Sequence, residues 1–397
     1  MAAYRTLDAI EANGKIALVR VDLNVPMQDG AVSDFTRIER ISGTIRELTE
    51  KGATVVLLSH FGRPKGTFNS EMSLAPVAKA MADHLQIPIA FASDCIGDVA
   101  KQAITNTENG NIILLENVRF YAGEEKNDVE FAKSLAALGD FYVNDAFSCS
   151  HRAHASTEAL AKELPSYAGR NMEAELTALE QALGAPKRPV MAIVGGAKIS
   201  TKLELLFNLI EKVDTLVIGG GMANTFLNAN GVDVGASLCE HDLADTASEI
   251  MAKAAKVGCE VLLQEDAVLA KEFKADAQNR AANVNDVAAD EMMLDIGPIS
   301  SAQLKEKLQQ CKTLVWNGPL GAFEISPFGA GTFSLANEAA RLTKEEGLIS
   351  VAGGGDTVAA LAKAGVSQDF TYISTAGGAF LEWMEGKELP GVKALSI

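Results

Sequence analysis

Arginine is unevenly placed in this chain: nine of its twelve, between Arg5 and Arg170, fall within the first 170 residues. Three of them follow short apolar runs of the kind that build buried strands. The run 54–59 leads into His60-Phe61-Gly62-Arg63-Pro64, the run 112–115 into Glu116-Asn117-Val118-Arg119, and the run 141–144 into a loop that reaches Arg152. A fourth run, 16–21, leads to Asp22-Leu23-Asn24-Val25-Pro26, and Arg37 opens the helical pattern beyond it. In an open parallel sheet, ligands bind beyond the carboxyl ends of the strands. Arg37, Arg63, Arg119, Arg152 and His60 are therefore expected to converge on one sheet edge as a basic cup. Guanidinium groups hold carboxylate and phosphate bidentately, so such a cup suits a small, multiply charged anion.

The second half carries different chemistry at the equivalent positions. Its apolar runs end in Gly195-Gly196-Ala197-Lys198, Gly219-Gly220-Gly221, Asn317-Gly318-Pro319 and Gly353-Gly354-Gly355-Asp356-Thr357. Glycine between a strand and a helix lets backbone N–H groups approach an anion, and the helix N-terminus adds partial positive charge. Lys198 and Lys202, four residues apart, are expected on one side of a helix start, within reach of a phosphate chain. Asp356, opening another helix, is placed to ligate a Mg2+ that bridges phosphates. Together these features describe a nucleotide-phosphate site. Neither GxxxxGK[ST] nor a full GxGxxG occurs, and there is no GxSxG or HExxH, so the commonest nucleotide, hydrolase and metalloprotease signatures are absent. Cys149 lies near His151 and His154, but no further ligand cluster accompanies it, which argues against a metal site. Glu124-Glu125-Lys126 reads as a solvated loop, His84 and His241 as surface or helix residues, and Trp316 and Trp383 as packing groups.

The elements that must position these residues are legible from periodicity. Short, non-alternating, Val/Ile/Leu-rich runs read as strands buried on both faces, which means parallel sheets. In the first half they fall at 16–21, 54–59, 87–91, 112–115 and 141–144. In the second they fall at 190–194, 215–218, 260–263, 313–316, 348–352 and 371–374. Helical patterns lie between them at 35–51 (with Asp34 as N-cap), 74–85, 173–183, 202–210, 300–311 and 357–364. Strand and helix alternate twice over, so the expected fold is α/β: two doubly wound, Rossmann-like parallel-sheet domains joined by a hinge helix, with a cleft between them. The boundary is expected between Pro165 and Pro189. The 397 residues are 48% hydrophobic and 22% charged, enough for two such cores. The net charge of −17 argues against nucleic acid or an anionic membrane as partner. No run is long enough to span a bilayer, and the first residues lack the apolar core of a secretory signal. Five dispersed cysteines without CxxC fit reduced thiols of the cytoplasm.

At the level of whole motifs the sequence resembles the phosphoglycerate kinases. The residues that carry the resemblance are Arg20 through Pro26, Ser59 through Pro64, Glu116 through Phe120, and Asn144 through Ser148 continuing to Arg152. In the second half they are Gly195 through Lys198 with Lys202, Gly219 through Gly221, Trp316 through Pro319, Gly353 through Thr357, and Ser374 through Ala379. The resemblance implies a cytoplasmic, monomeric, hinge-bending enzyme of glycolysis and gluconeogenesis. Its reaction is reversible in-line phosphoryl transfer between 1,3-bisphosphoglycerate and MgADP, giving 3-phosphoglycerate and MgATP. It implies domains at 1–170 for the glycerate and 189–375 for the nucleotide, an interdomain helix at 171–188, and a segment 376–397 returning to the first domain. It further implies that Asp22, Leu23, Asn24, Arg37, His60, Phe61, Gly62, Arg63, Arg119 and Arg152 hold the glycerate. Gly195, Lys202, Gly219, Asn317, Glu324, Gly354, Gly355, Asp356 and Thr357 would hold the nucleotide, with Asp356 at the Mg2+. Arg37, Lys198 and Lys202 would surround the transferred group as the catalytic residues. Phe61 stands where leucine is common, and Ala376 replaces the first glycine of a usual triplet. The alternatives from other classes are a non-catalytic, two-lobed anion-binding protein and a dinucleotide-dependent dehydrogenase, the latter disfavoured by the missing GxGxxG.

Overall fold

A computed structural model describes residues 4–108 and 110–397. The chain divides into two compact units, one running through Leu176 and completed by Glu388–Ile397, the other comprising Thr177–Lys387. The helix Arg170–Leu179, continued by a wider turn over Glu180–Gly184, carries the chain from the first unit into the second.

The first unit is built on a six-stranded parallel sheet in the order Ile89–Ala92, Ile112–Leu115, Thr54–Leu58, Ile16–Arg20, Phe141–Asn144, Ser166–Ala168. Its central strands are buried along their whole length, as their uninterrupted apolar runs require. The helix Thr36–Glu50 turns Ile38, Ile41, Ile45 and Leu48 onto the sheet at helical spacing. Asp34 Oδ1 accepts the Thr36 amide at 2.7 Å, so it caps the helix entrance from one residue further out than expected. Ser166–Ala168, too short to announce itself, was not foreseen as a strand.

The second unit holds a six-stranded parallel sheet in the order Glu260–Leu262, Thr215–Gly219, Val190–Gly195, Thr313–Asn317, Ile349–Gly353, Tyr372–Ser374. That order turns back on itself between Val190–Gly195 and Thr313–Asn317. In the first unit the equivalent reversal lies between Ile16–Arg20 and Phe141–Asn144. Such switch points open a crevice at the strands' carboxyl ends. A three-stranded antiparallel sheet of Asp266–Ala270, Asn279–Asn283 and Met292–Ile296 adds to the second unit and had no counterpart in the expected elements. The helix Gly378–Met384 also belongs there: Asn208 Nδ2 donates to the Met384 carbonyl, and Lys387 pairs with Glu204 at 2.6 Å. What joins the first unit is Glu388–Ile397.

Candidate functional site

In the first unit the loops following the strands converge on Asp22. Its Oδ2 accepts from Arg37 Nη1 and from Ser148 Oγ, each at 2.5 Å, and its Oδ1 accepts the Asn24 amide at 3.1 Å. Burial alone would raise the Asp22 carboxyl, but chiefly the Arg37 guanidinium, with the Ser148 hydroxyl, outweighs it and holds it below the usual range. Asn24 Oδ1 accepts the Gly62 amide at 2.9 Å, and Arg119 Nη1 donates to the Gly62 carbonyl at 2.9 Å. The loop carrying His60 and Arg63 is thereby tied to the loops carrying Asp22 and Arg119. Leu23 is buried with its amide on Ser59 Oγ, and the half-buried Phe61 hydrogen-bonds Asn117 through its amide and its carbonyl. Burial, then the charges of Arg20, Arg119 and Arg152, hold His60 well below the ordinary histidine range, so its ring is neutral at pH 7. Arg63 and Arg152 are exposed and make no ion pair among the described residues.

Two expectations change here. Glu124, read as a solvated residue, is completely buried and bonded to Ser156 by both carboxylate oxygens. Cys149 is grouped with Asp22 and His60, whose ligand atoms and its own lie within 4.8 Å of one another, rather than with His151 and His154. Arg37 and Arg20 already occupy the Asp22 carboxylate and the His60 ring, so the group faces guanidinium rather than a metal ion. Sequence reasoning missed Arg20, Ser148, Glu124 and Ser156 as members of this cluster. Only Arg20 carried a signal: a charged residue closing an otherwise apolar buried run.

In the second unit Lys202 Nζ lies over the ends of two strands. It donates to the Gly195 carbonyl and to Asn317 Oδ1, both at 2.6 Å. Burial lowers its ammonium to about 8, against the pull of the Asp356 carboxylate. Lys198 is exposed, and a 3-10 turn over Ile199–Thr201 separates it from Lys202, which precedes the helix Leu203–Leu209. The two lysines therefore do not share one helical face, because the helix begins only beyond Lys202. Gly195 and Gly318 meet so closely that a methyl on either would overlap the other strand end's backbone. Thr357 is buried, and its hydroxyl accepts the Gly318 amide at 2.7 Å while Asn317 Nδ2 donates to the Gly353 carbonyl at 2.9 Å. Gly354, at φ +95°, turns the chain into the helix Gly355–Lys363. Gly219 ends its strand, and Gly220 starts the helix Gly221–Ala229 at φ +68°.

Beside these turns lies a cavity of about 550 Å3 whose walls include Gly220, Leu238, Met293, Leu320, Glu324 and Asp356. It brings the exposed Glu324 and Asp356 to one apolar recess, a size and character suited to a nucleoside. The exposed Asp356 carboxylate, opening a helix beside glycine-turn amides, has the hard oxygen donors that Mg2+ takes. Ala376 is buried with its amide on Ser374 Oγ at 3.2 Å, and its φ is not positive, so alanine fits where a glycine is usual. His84 stacks on Phe35 and pairs with Glu39, and Trp316 is wholly buried.

Arginine-bearing loops on one parallel sheet, and glycine turns beside an apolar recess on another, are the arrangement expected of a phosphotransferase of small-molecule metabolism. Comparison with known proteins agrees. The family model for phosphoglycerate kinase matches residues 7–387. Phosphoglycerate kinases from Agrobacterium fabrum and from Chelativorans sp. are 62% and 61% identical over 397 and 396 residues, covering 100% of this chain and 99% and 100% of theirs. The structure of phosphoglycerate kinase from Coxiella burnetii superposes with a TM-score of 0.91 at 42% identity, covering 99% of this chain and 98% of that one. That from Pyrococcus horikoshii does so at 0.81 and 30%, covering 98% of each. The chain belongs to the phosphoglycerate kinase family. It is a kinase with nucleotide and phosphoglycerate substrates, and neither the binding-protein nor the dehydrogenase reading stands against that match. Among the described residues no helix is long and apolar enough to cross a membrane.

Proposed function

We propose that Asp22, Leu23, Asn24, Arg37, His60, Phe61, Gly62, Arg63, Arg119 and Arg152 bind 3-phosphoglycerate and 1,3-bisphosphoglycerate. Gly195, Lys202, Gly219, Asn317, Glu324 and Gly354 through Thr357 bind ADP and ATP. The observation that carries this reading is the pair of exposed arginines, Arg63 and Arg152, which make no ion pair among the described residues of a chain with 52 carboxylates to 35 lysines and arginines. A guanidinium left unpaired amid such an acidic surplus, on loops beside those of the buried His60 and Arg119, is matched to an anion the described residues do not supply.

The division of labour follows from the chemistry. The acceptor carboxylate is already an anionic nucleophile, so transfer between it and a phosphate oxygen removes no proton and needs no general base. Burial and the neighbouring arginines depress the basicity of His60, which makes it a poor proton acceptor, in keeping with that. What transfer does need is neutralisation of the charge on the moving phosphoryl oxygens and in-line positioning of the two oxygens. Asp22 supports this by orienting the Arg37 guanidinium through its 2.5 Å contact. Lys202, anchored on Gly195 and Asn317, holds an ammonium at the strand ends, and the exposed Lys198 supplies a second. Thr357 acts mainly by fixing the Asn317-Gly318 turn. Asp356 would hold the Mg2+ that accompanies the nucleotide, which would supply charge screening at the phosphate oxygens. Glu324, at the wall of the recess, accepts from the ribose hydroxyls. The protein acts as a monomer in the cytoplasm, which sedimentation at working concentration and fractionation of cells would test.

The deciding experiment is ADP formation from MgATP with and without 3-phosphoglycerate, for wild type and Arg37→Ala. Turnover is expected to require the acid and to fall on the order of 10³-fold in the variant, the scale of other phosphoryl-transfer arginines. Undiminished turnover in Arg37→Ala would remove that residue from its central place. MgADP binding without acid-dependent turnover would overturn the assignment of the first unit.

A further inference from the structure

Beneath the arginine-bearing loops of the first unit runs a buried polar chain that the substrate assignments leave unused. It starts at Glu124, which is fully buried. Glu124 Oε1 accepts the Ser156 hydroxyl at 2.6 Å, and Oε2 accepts the Ser156 amide at 2.8 Å. Since that hydroxyl spends its proton on Glu124, it meets Arg20 as an acceptor, and Arg20 Nε donates to it at 2.8 Å. Arg20 is only 1% exposed; its Nη1 donates to the Val21 carbonyl and its Nη2 lies 3.1 Å from His60 Nδ1. Tyr142 holds the far side of the relay by donating its hydroxyl to the Ser156 carbonyl at 2.9 Å.

An arginine side chain has five donors and no acceptor, and it stays protonated in proteins. The His60 nitrogen facing it must therefore be the bare one, which leaves the ring's single proton on Nε2. Cys149 Sγ, 3.9 Å from the same Nδ1, approaches the same lone pair. Nε2 itself has no hydrogen-bond partner among the described residues.

We propose that Arg20, held by Glu124 through Ser156, is a positioning residue that locks His60 as a neutral imidazole with its proton on Nε2, giving the substrate site a directed donor in place of another cation. The inference rests on the reading above that His60 touches the acid. Its physical sense lies in the crowding of charge. Arg20, Arg119 and Arg152 already crowd positive charge on the ring, and Asp22 opposes them there. A further positive charge there would add repulsion, whereas a neutral N–H adds direction without it. Glu124 is the buried counter-charge that makes a desolvated Arg20 tolerable at the bottom of this cluster.

The test is the tautomeric state of His60, read from long-range proton–nitrogen NMR spectra of the full-length protein labelled with 15N-histidine. The chain has five histidines, so His60→Gln identifies the signals by difference. Wild type at neutral pH is expected to show an unprotonated Nδ1 and a protonated Nε2. A doubly protonated ring, or the opposite tautomer, overturns the proposal whatever the activity. Ser156→Ala, which removes the relay hydroxyl, and Glu124→Gln, which keeps its shape and drops its charge, are expected to mix the two tautomers. Both should raise KM for 3-phosphoglycerate about fivefold to tenfold with KM for MgATP unmoved, the scale of one hydrogen bond to a charged or polar group. A raised KM with an unchanged His60 tautomer in both variants would mean that the chain acts by packing alone, and would sink the proposal. Absence of acid-dependent turnover alongside the expected wild-type spectrum would fault the substrate assignment and leave the lock intact.

Discussion

Lys202 concentrates the residue-scale chemistry of the second unit, because its ammonium is both anchored and easily lost. With burial holding it to about 8, it is charged at pH 7 and half discharged near pH 8. Affinity for MgADP is therefore expected to fall as pH rises from 7 to 9.5, by up to about tenfold per unit above pH 8, and calorimetric titration of Lys202→Met should show weaker binding without that slope. The sign for stability is opposite: the unfolded chain holds the proton up to about 10.4, so this lysine's contribution to folding grows as pH rises from 8 to that value. The exposed members of both sites were readable in the sequence, since an arginine or lysine just past an apolar strand announces itself. Glu124 and Ser156 were not. A glutamate in Glu-Glu-Lys looks solvated by composition, and the serine that buries it lies 32 residues further on, a pairing that only tertiary structure creates.

At the scale of elements, strand ends set the geometry. Gly318, at φ +105°, brings its backbone against Gly195 and lets Lys202 bridge the two strands. Gly318→Ala combines a disfavoured backbone region with an overlap, so it is expected to destabilise by about 2–3 kcal/mol and to weaken nucleotide binding, measurable by urea unfolding and titration. A second case is Asp145, which starts the helix Arg170–Leu179 by accepting the Asn171 amide at 2.9 Å and the Met172 amide at 3.1 Å. Burial, against those amides, pushes its carboxyl up to about 7. The folded protein thus keeps a proton that the unfolded chain releases near 3.9, and this contribution is lost as pH climbs from about 4 through 7. Unfolding free energy is expected to drop by about 1–3 kcal/mol between pH 5 and 7.5 on this account, and Asp145→Asn should lessen the slope; Asp295, raised to about 7 in the same way, accounts for a similar share. The parallel strands were legible because burial on both faces demands unbroken apolar runs. The antiparallel sheet was not, since Asn279–Asn283 reads Asn-Arg-Ala-Ala-Asn and lies largely exposed, leaving no hydrophobic period to find.

For the whole molecule, the alternation of strand and helix was enough to foresee two α/β halves, while the return of the chain end to the first half was expected only from the resemblance, over 376–397, and the first unit takes in Glu388–Ile397. Ser396 pairs antiparallel with Tyr4, the Gly391 amide donates to the Ser150 carbonyl at 2.9 Å, and Asn144 Nδ2 reaches the Gly391 carbonyl at 3.4 Å. A methyl at Gly391 would press on Ser150 at 2.9 Å, inside the loop that carries Arg152. A chain ending at Lys387 is expected to keep MgADP affinity and lose that for 3-phosphoglycerate, with Gly391→Ala showing a milder form of the same split in paired titrations. The return also orders events during synthesis. A ribosome finishes the strands of the first unit early, then makes all of Thr177–Lys387 before the segment that closes the Arg152 loop emerges. With the sites proposed above, the nucleotide recess would be complete on the nascent chain while the acid cup was still open, so a message broken near its end is expected to yield a protein that holds nucleotide and has nothing to give it to.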